Sequence, residues 1–184
     1  MGKRRSSWAW VPSLYFAEGL PYVLIVTVSA IMFKQMGVSN AQVALYTSWL
    51  YLPWVIKPLW SPFVDILRSK RWWIAVTQGI MALTVLLIAF SLPHPTAEQI
   101  LEGSLPVSEF TFALILFTVV AFASATHDIS ADGFYMIALE AKQQAFFVGI
   151  RNTFYRIGMV FGQGVLVVLA GLLERHYGDM PRAW

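Results

Sequence analysis

Apolar residues gather into five long stretches along the chain, separated by short polar segments. The stretches run over about residues 8–33, 41–67, 72–92, 110–136 and 146–173. A helix needs about 20 mainly apolar residues to cross a bilayer, and each stretch meets that length. A spanning chain must satisfy its backbone polar groups internally, and the alternation of a β-barrel strand is missing. The pattern therefore predicts five transmembrane helices.

Local signals support this division into helices. Ser39 and Gln42 have the spacing of a capping box before the second stretch, and Thr96 and Gln99 have the same spacing inside the longest loop. Pro21 lies within the first stretch, where its missing backbone N–H is expected to kink the helix.

Composition narrows the class of protein. Among the 184 residues, 58% are hydrophobic and only 12% are charged, whereas a soluble domain carries about 25% charged residues. The chain has no cysteine, which excludes thiolate catalysis and Cys-ligated metals. It also lacks a phosphate-binding loop, a nucleophile elbow and an H-E-x-x-H motif. We therefore predict an integral membrane protein that is not an enzyme and holds neither a cofactor nor a metal.

Basic residues flank the predicted helices asymmetrically. With the N-terminus inside, the cytoplasmic flanks carry Lys3, Arg4, Arg5, Arg68, Lys70, Arg71 and Lys142. The opposite side carries only Lys34, Arg175 and Arg182. The positive-inside rule then predicts a multi-pass protein of the inner (plasma) membrane with a cytoplasmic N-terminus. The same flanks account for the net charge of +3 without a nucleic-acid partner.

A second set of charges falls inside the predicted spans, where each is costly. These residues are Glu18, Lys57, Asp128, Asp132, Arg151 and Arg156. Three are acidic and three are basic, so their formal charges cancel. Mutual compensation inside a helix bundle or around a water-filled cavity is the economical interpretation.

The register of the fourth and fifth helices suggests how these charges pair. In an antiparallel hairpin that turns near Ala141, residues at equal depth have numbers with a constant sum. Asp128 then lies level with Arg156, and Asp132 lies level with Arg151. We predict both pairs. A proton or substrate site and structural ion pairs are the two open interpretations of Asp128–Arg156, and structure is favoured for Asp132–Arg151.

Other polar and aromatic residues recur at helical spacing in the first two spans. Tyr15, Glu18 and Tyr22 share one side of the first helix, and Trp54 and Lys57 follow one another in the second. Glu18 is either a protonatable coupling residue or a buried carboxyl bonded to a neighbour. Lys57 either binds an anion or neutralises an acid. The candidates for lining a substrate cavity are Tyr15, Tyr22, Trp54, Lys57 and His127.

His127 and the glycines of the fifth helix complete the candidate set. His127 is either a proton relay or a hydrogen-bonded core residue. Gly149, Gly158 and Gly162 recur along the fifth helix, and small residues of this kind allow two helices to approach closely. We predict that they pack against a neighbouring helix.

Four segments together resemble the major facilitator superfamily, in particular its branch of AmpG-type muropeptide permeases and acetyl-CoA transporters. The segments are Tyr15–Pro21, Lys57–Asp65 with the basic run from Arg68, Ser124–Asp132, and Tyr155–Gly158. The resemblance implies proton-driven import of a polar solute through twelve helices in two six-helix bundles. It also implies that Asp65, Arg68, Lys70 and Arg71 form the loop that latches the two bundles. Ser61 stands where the superfamily usually has glycine. Gln163 replaces the proline of the antiporter glycine motif, so antiport is not inferred. Helix four lacks the arginine that many proton-coupled members carry there, and our hypothesis is that Arg156 serves instead.

These observations combine into one expectation: an all-α, polytopic membrane helix bundle, residues 1–184 forming an incomplete N-terminal half with five helices. The expected function is secondary active transport, most simply proton-coupled import of a polar solute such as a muropeptide. The implied partners are the lipid bilayer, the solute, protons, and the missing C-terminal helices or a complementing chain. The alternative is a non-transporting membrane subunit whose buried charges form structural salt bridges.

Overall fold

The structure is a computed structural model that describes residues 6–103 and 106–178. The basic residues Lys3, Arg4, Arg5 and Arg182, which entered the orientation argument, lie outside the described residues. Seven helices, here named in chain order, account for most of the described part. They are α1 (Ser7–Gln35), α2 (Asn40–Val55), α3 (Ser61–Leu67), α4 (Lys70–Ser91), α5 (Ala97–Glu102), α6 (Val107–Ala138) and α7 (Ala141–Tyr177). The all-α fold class predicted from the sequence is confirmed.

Four described helices are long and apolar enough to cross a membrane: α1, α4, α6 and α7. The predicted second span, residues 41–67, is broken instead of continuous. After α2 the chain forms a short 3₁₀ turn at Lys57–Leu59 and resumes as α3. Proline explains the break, because Pro58 disfavours helical geometry at the preceding residue and donates no backbone hydrogen bond.

The helix starts follow the capping chemistry expected from the sequence. Ser39 accepts a hydrogen bond from the Gln42 backbone N–H, and the Gln42 side chain accepts from the Ser39 backbone N–H. Thr96 and Gln99 make the same reciprocal pair at α5. Both predicted capping boxes are confirmed. A further box, Glu140 with Gln143, starts α7.

Pro21 does not interrupt α1. The α-helical part Val11–Val23 includes Pro21 without a break. One wide π-helical turn follows at Leu24–Val28, and the α-helix then resumes. A matching π turn, Gly162–Leu166, lies in α7, and the two wide turns contact each other. The distortion expected near Pro21 is therefore a wide π-helical turn that begins at Leu24, three residues further along the helix.

Helices α1 and α7 pack at very close range. A Cβ atom at Gly19 would lie 2.3 Å from the Tyr155 carbonyl oxygen, and one at Gly158 would lie 2.5 Å from the Phe16 carbonyl oxygen. A Cβ atom at Gly162 would likewise meet the Val23 side chain at 2.4 Å. Glycine is thus what allows the two backbones to touch.

Gly149, which we grouped with these glycines, does not take part in this packing. A Cβ atom placed there would meet nothing within 4 Å among the described residues. Gly149 therefore packs against no other described helix, and its packing role stays a prediction.

The apolar core has two parts. The larger joins α1, α2, α4 and α6, where Phe33 contacts Phe110 and Phe117 with edge-to-face ring geometry at 4.6 and 5.5 Å. The smaller lies around Tyr135 and Phe147, where α1, α6 and α7 meet. The charged residues considered next lie on α1, α6, α7 and the broken second segment, between these packed ends.

Candidate functional site

A three-residue polar network joins α1, α6 and α7. The Tyr15 hydroxyl donates to Asp132 Oδ1 at 2.9 Å, and Arg151 Nη1 donates to the same oxygen at 2.8 Å. Arg151 Nη1 also donates to the Tyr15 hydroxyl oxygen at 3.0 Å. The guanidinium group lies over the rings of Tyr15 and Tyr135, at 4.9 and 5.0 Å from their centroids. The contact between Asp132 and Arg151 expected from the helix register is present.

The second acid of α6 pairs with a different base from the one we predicted. Asp128 forms an ion pair with Lys57, which lies in the 3₁₀ turn between α2 and α3. Because the helix is unwound there, the lysine is presented from a turn and not from a helical face. The interpretation of Lys57 as a residue that neutralises an acid therefore agrees with its contact in the structure.

Arg156 lies on the exposed outer face of α7, so the predicted Asp128–Arg156 pair is wrong. The reason is angular. Asp128 and Asp132 are four residues apart and share one face of α6, whereas Arg151 and Arg156 are five apart and diverge by about 140° around α7. Once Arg151 faces α6, Arg156 points away from it.

Glu18 is the most deeply enclosed carboxylate among the described residues, with 6% of its surface exposed. Its Oε2 atom is buried and has no hydrogen-bond partner in the described part of the chain. Asp132, Arg151 and Lys57 all act on it electrostatically. Arg151 Nε is buried without a hydrogen-bond partner as well. Glu18 thus interacts electrostatically with members of both the Tyr15 network and the Lys57–Asp128 ion pair, while its Oε2 atom is hydrogen-bonded to neither.

Aromatic side chains from three helices lie beside these charges. The Tyr22 ring is 5.2 Å from the Trp54 ring and 6.3 Å from the Tyr155 ring, and Tyr51 stacks on Trp54 at 6.3 Å. Tyr22 and Trp54 were expected to line a cavity together, and the fold does bring them into contact. The sequence analysis did not include Tyr51 and Tyr155 among the cavity candidates. Tyr155 is four residues from Arg151, so helical spacing alone would have placed it on the same face.

His127 occupies another part of the bundle. It is 1% exposed and lies in the interface of α6 with α4, where its Nε2 atom is 3.2 Å from Nε2 of Gln78. The contact gives the buried imidazole a polar partner on α4. This geometry favours the interpretation of His127 as a hydrogen-bonded core residue. Asp128, the next residue along α6, pairs with Lys57, whereas His127 is directed towards α4.

The loop between α3 and α4 is held by charge and by ring contacts. Asp65 forms an ion pair with Lys70. Arg68 lies 5.8 Å from the centroid of the Trp72 ring, and Arg71 lies 5.2 Å from that of Phe134 on α6. The four candidate gating residues, Asp65, Arg68, Lys70 and Arg71, therefore lie at the short connection between α3 and α4, and Arg71 contacts α6.

The turn between α6 and α7 contains a clamp that the sequence analysis missed. The Gln144 amide donates to the Met136 carbonyl at 3.0 Å and to the Leu139 carbonyl at 2.8 Å. The Tyr135 hydroxyl donates to the Gln144 carbonyl at 2.5 Å. These bonds tie the hairpin that sets Asp132 level with Arg151. Among the described residues there is no cluster of three or more side chains suited to hold a metal ion.

Curated proteins resemble this chain in sequence over most of its length. A putative transporter AmpG 4 of Rickettsia conorii is 28% identical over 162 residues, which is 83% of this chain and 36% of the relative. The anhydromuropeptide permease of Escherichia coli K12 is 28% identical over 164 residues, 85% of this chain and 30% of the relative. The chain is thus similar over most of its length to a protein named as a putative AmpG transporter and to one named as an anhydromuropeptide permease. The resemblance inferred from the sequence motifs is thereby confirmed.

A further relative has no assigned activity. An uncharacterized protein of Schizosaccharomyces pombe is 30% identical over 138 residues, 72% of this chain and 25% of the relative. The chain therefore spans between a quarter and about a third of the length of the curated relatives it matches. No family model and no solved structure matches the chain.

The similarity agrees with the apolar helices and describes a multi-pass membrane protein. The two relatives with functional names are called a transporter and a permease, and neither name is that of an enzyme. The Tyr15 network, the Lys57–Asp128 ion pair, Glu18 and the aromatic cluster therefore lie in a protein related to membrane transporters.

Proposed function

We propose that the chain is part of a secondary active transporter that imports a polar solute, such as a muropeptide, together with protons. The observation that carries the proposal is Glu18, a buried carboxylate with a side-chain oxygen that has no hydrogen-bond partner in the described residues. Ionisable groups inside a membrane are costly and mark ion or proton pathways in transporters. The proposed role of Glu18 is to bind the coupled proton and release it on the cytoplasmic side.

The solute site is proposed next to Glu18, at the break between α2 and α3. Transporter substrate sites are typically formed near the bilayer midplane by discontinuous helices. Lys57 lies in such a discontinuity and forms an ion pair with Asp128. In this proposal the pair opens, and the ammonium group of Lys57 then binds a carboxylate of the solute. The rings of Tyr22, Trp54 and Tyr155 would line the same space.

The substrate class comes from the relative named anhydromuropeptide permease. Because the chain matches 30% of that relative, alternating access would require helices beyond this stretch, arranged as the second part of a major facilitator superfamily fold. In this proposal the four loop residues from Asp65 to Arg71 contact that second part. Asp132 and Arg151 hold α6, α7 and α1 together. The site lies in the inner membrane, with the N-terminus in the cytoplasm as the basic flanks favour.

The second candidate function is a structural membrane subunit that transports nothing. It is favoured by the two ion pairs, Lys57–Asp128 and Asp132–Arg151, which neutralise four of the six charges within the predicted spans. Under this alternative Glu18 would have no role that depends on a proton gradient.

Uptake of labelled anhydromuropeptide into native membrane vesicles separates the two functions. The intact gene product is compared with Glu18→Gln, and Glu98→Gln on the short helix α5 is the matched carboxyl-to-amide control. We expect gradient-driven uptake by the parent and by Glu98→Gln, and loss of the gradient dependence in Glu18→Gln. No uptake by the parent favours the structural subunit.

A further inference from the structure

The outer face of α7 is apolar and carries one charge in its middle. Arg156 lines an open groove of about 820 Å³ whose other walls include Val160, Gly164 and Val168. Only 17% of the most apolar stretch of α7 is buried, against 44% for α1 and 50% for α6. A Cβ atom at Gly164 or at Gly171 would meet nothing within 4 Å in the described part of the chain. The face is thus open to a close neighbour.

Lipid alone is a poor neighbour for this face. Helix α4 is nearly as exposed, with 22% of its most apolar stretch buried, but residues 72–92 carry no charge that acyl chains would have to accommodate. Arg156 lies within one helical turn of the midpoint of α7. It is therefore about 10 Å from the nearer edge of a hydrocarbon core about 30 Å thick, beyond easy reach of a lipid phosphate.

A second copy of the same chain is also a poor neighbour. Two copies that paired symmetrically through this face would bring the two Arg156 guanidinium groups together. Like charges at such a contact are unfavourable, more so where no water screens them. A carboxylate would neutralise the charge of Arg156 on this face. The open glycines Gly164 and Gly171 would allow a helix to approach closely.

We infer that the outer face of α7 docks a transmembrane helix that carries an Asp or Glu level with Arg156. The inference rests on the proposed function, because the source of that helix is the remaining part of the transporter. The relatives have room for it, since the matched stretch covers 36% of one and 30% of the other. In the assembled protein the pair would neutralise the exposed charge in the middle of α7.

The test measures binding of a model helix to the 184-residue chain in lipid vesicles. The probe is a Leu-Ala peptide of about 20 residues, flanked by lysines, with one glutamate at its centre; its twin has glutamine there. Energy transfer between labelled chain and labelled peptide reports binding. We expect the glutamate peptide to bind about tenfold more tightly, as fits an interhelical polar contact in a membrane. Arg156→Gln should abolish that preference, whereas Arg175→Gln near the end of α7 should keep it.

Charge reversal guards against a variant that simply fails to fold. Arg156→Glu should prefer a peptide with a central lysine over the glutamate peptide, while its circular dichroism stays that of the parent. Equal binding of the glutamate and glutamine peptides by the parent chain would overturn the inference. So would self-association of the chain that the glutamate peptide does not displace. Neither readout involves uptake, so a failure of the proposed transport function is recognised separately.

Discussion

The ammonium group of Lys57 and the carboxylate of Asp128 form an ion pair that bridges the broken second segment and α6. The pair places a charged group of a non-helical turn against a long membrane helix, within electrostatic reach of Glu18. It gives Asp128 a partner other than Arg156, which lies on the exposed outer face of α7. The proposed solute site follows from this relationship.

The pairing can be tested by comparing two double-mutant cycles. Lys57→Met and Asp128→Asn should each lower the free energy of unfolding by about 1–2 kcal/mol, because each leaves a charge or dipole without its partner in the membrane. The double variant should lose less than the sum, with a coupling of about 1 kcal/mol. Unfolding in mixed detergent, followed by tryptophan fluorescence, gives these values.

Asp128→Asn combined with Arg156→Gln is the matched control. Arg156 lies on the far face of α7, so the two effects should add, as they do for residues without a shared partner. Coupling between Asp128 and Arg156, with none between Asp128 and Lys57, would restore the pairing first expected from the helix register and contradict the structure.

The α1–α7 contact predicts opposite effects for two glycines of one helix. Gly158→Ala should destabilise the bundle by about 1–3 kcal/mol, because its Cβ would press on the Phe16 carbonyl and neither backbone can retreat. Gly149→Ala should leave stability unchanged or raise it by up to about 1 kcal/mol, because alanine is the better helix former and the site is open. Thermal unfolding of the two variants in the same detergent compares them directly. Equal stability of both variants would show that α1 and α7 do not pack as described.

The Gln78–His127 contact predicts that a substitution of His127 restores stability lost by a substitution of Gln78. Gln78→Leu should cost about 1 kcal/mol of unfolding free energy or more, because it leaves the buried imidazole without its partner. Adding His127→Leu should recover much of that loss, since removing both polar groups leaves neither unsatisfied. Chemical unfolding measures the recovery, and the double variant should retain solute uptake. Loss of uptake by a stably folded double variant would instead return His127 to the candidate solute site.

Much of the architecture could be predicted from the sequence, because apolar length and capping residues are local signals. Ser39 and Thr96 mark helix starts without reference to the fold. The contact between Asp132 and Arg151 was also predictable, since an antiparallel hairpin fixes which residues lie at equal depth. The partner of Asp128 was not, because equal depth does not fix the direction of Arg156 around the helix axis. A spacing of five residues turns Arg156 away from the side of α7 on which Arg151 lies.

Three features lay beyond the hydrophobic pattern. The break at Lys57 had a signal in Pro58, but a long apolar run around it reads as a continuous span. The wide turns at Leu24–Val28 and Gly162–Leu166 leave no mark in hydropathy, because one extra residue per turn changes neither composition nor length noticeably. The unbonded oxygen of Glu18 depends on what three other helices bring near it, which no local pattern reports.

The central claim is that Glu18 couples solute movement to protons. Its most direct test compares gradient-driven accumulation with solute exchange at equal pH on both sides, using labelled anhydromuropeptide and the intact gene product in vesicles. Glu18→Gln should lose accumulation and retain exchange, because the amide binds no proton but leaves the solute site in place. Accumulation by Glu18→Gln equal to that of the parent under the same proton gradient would contradict the account.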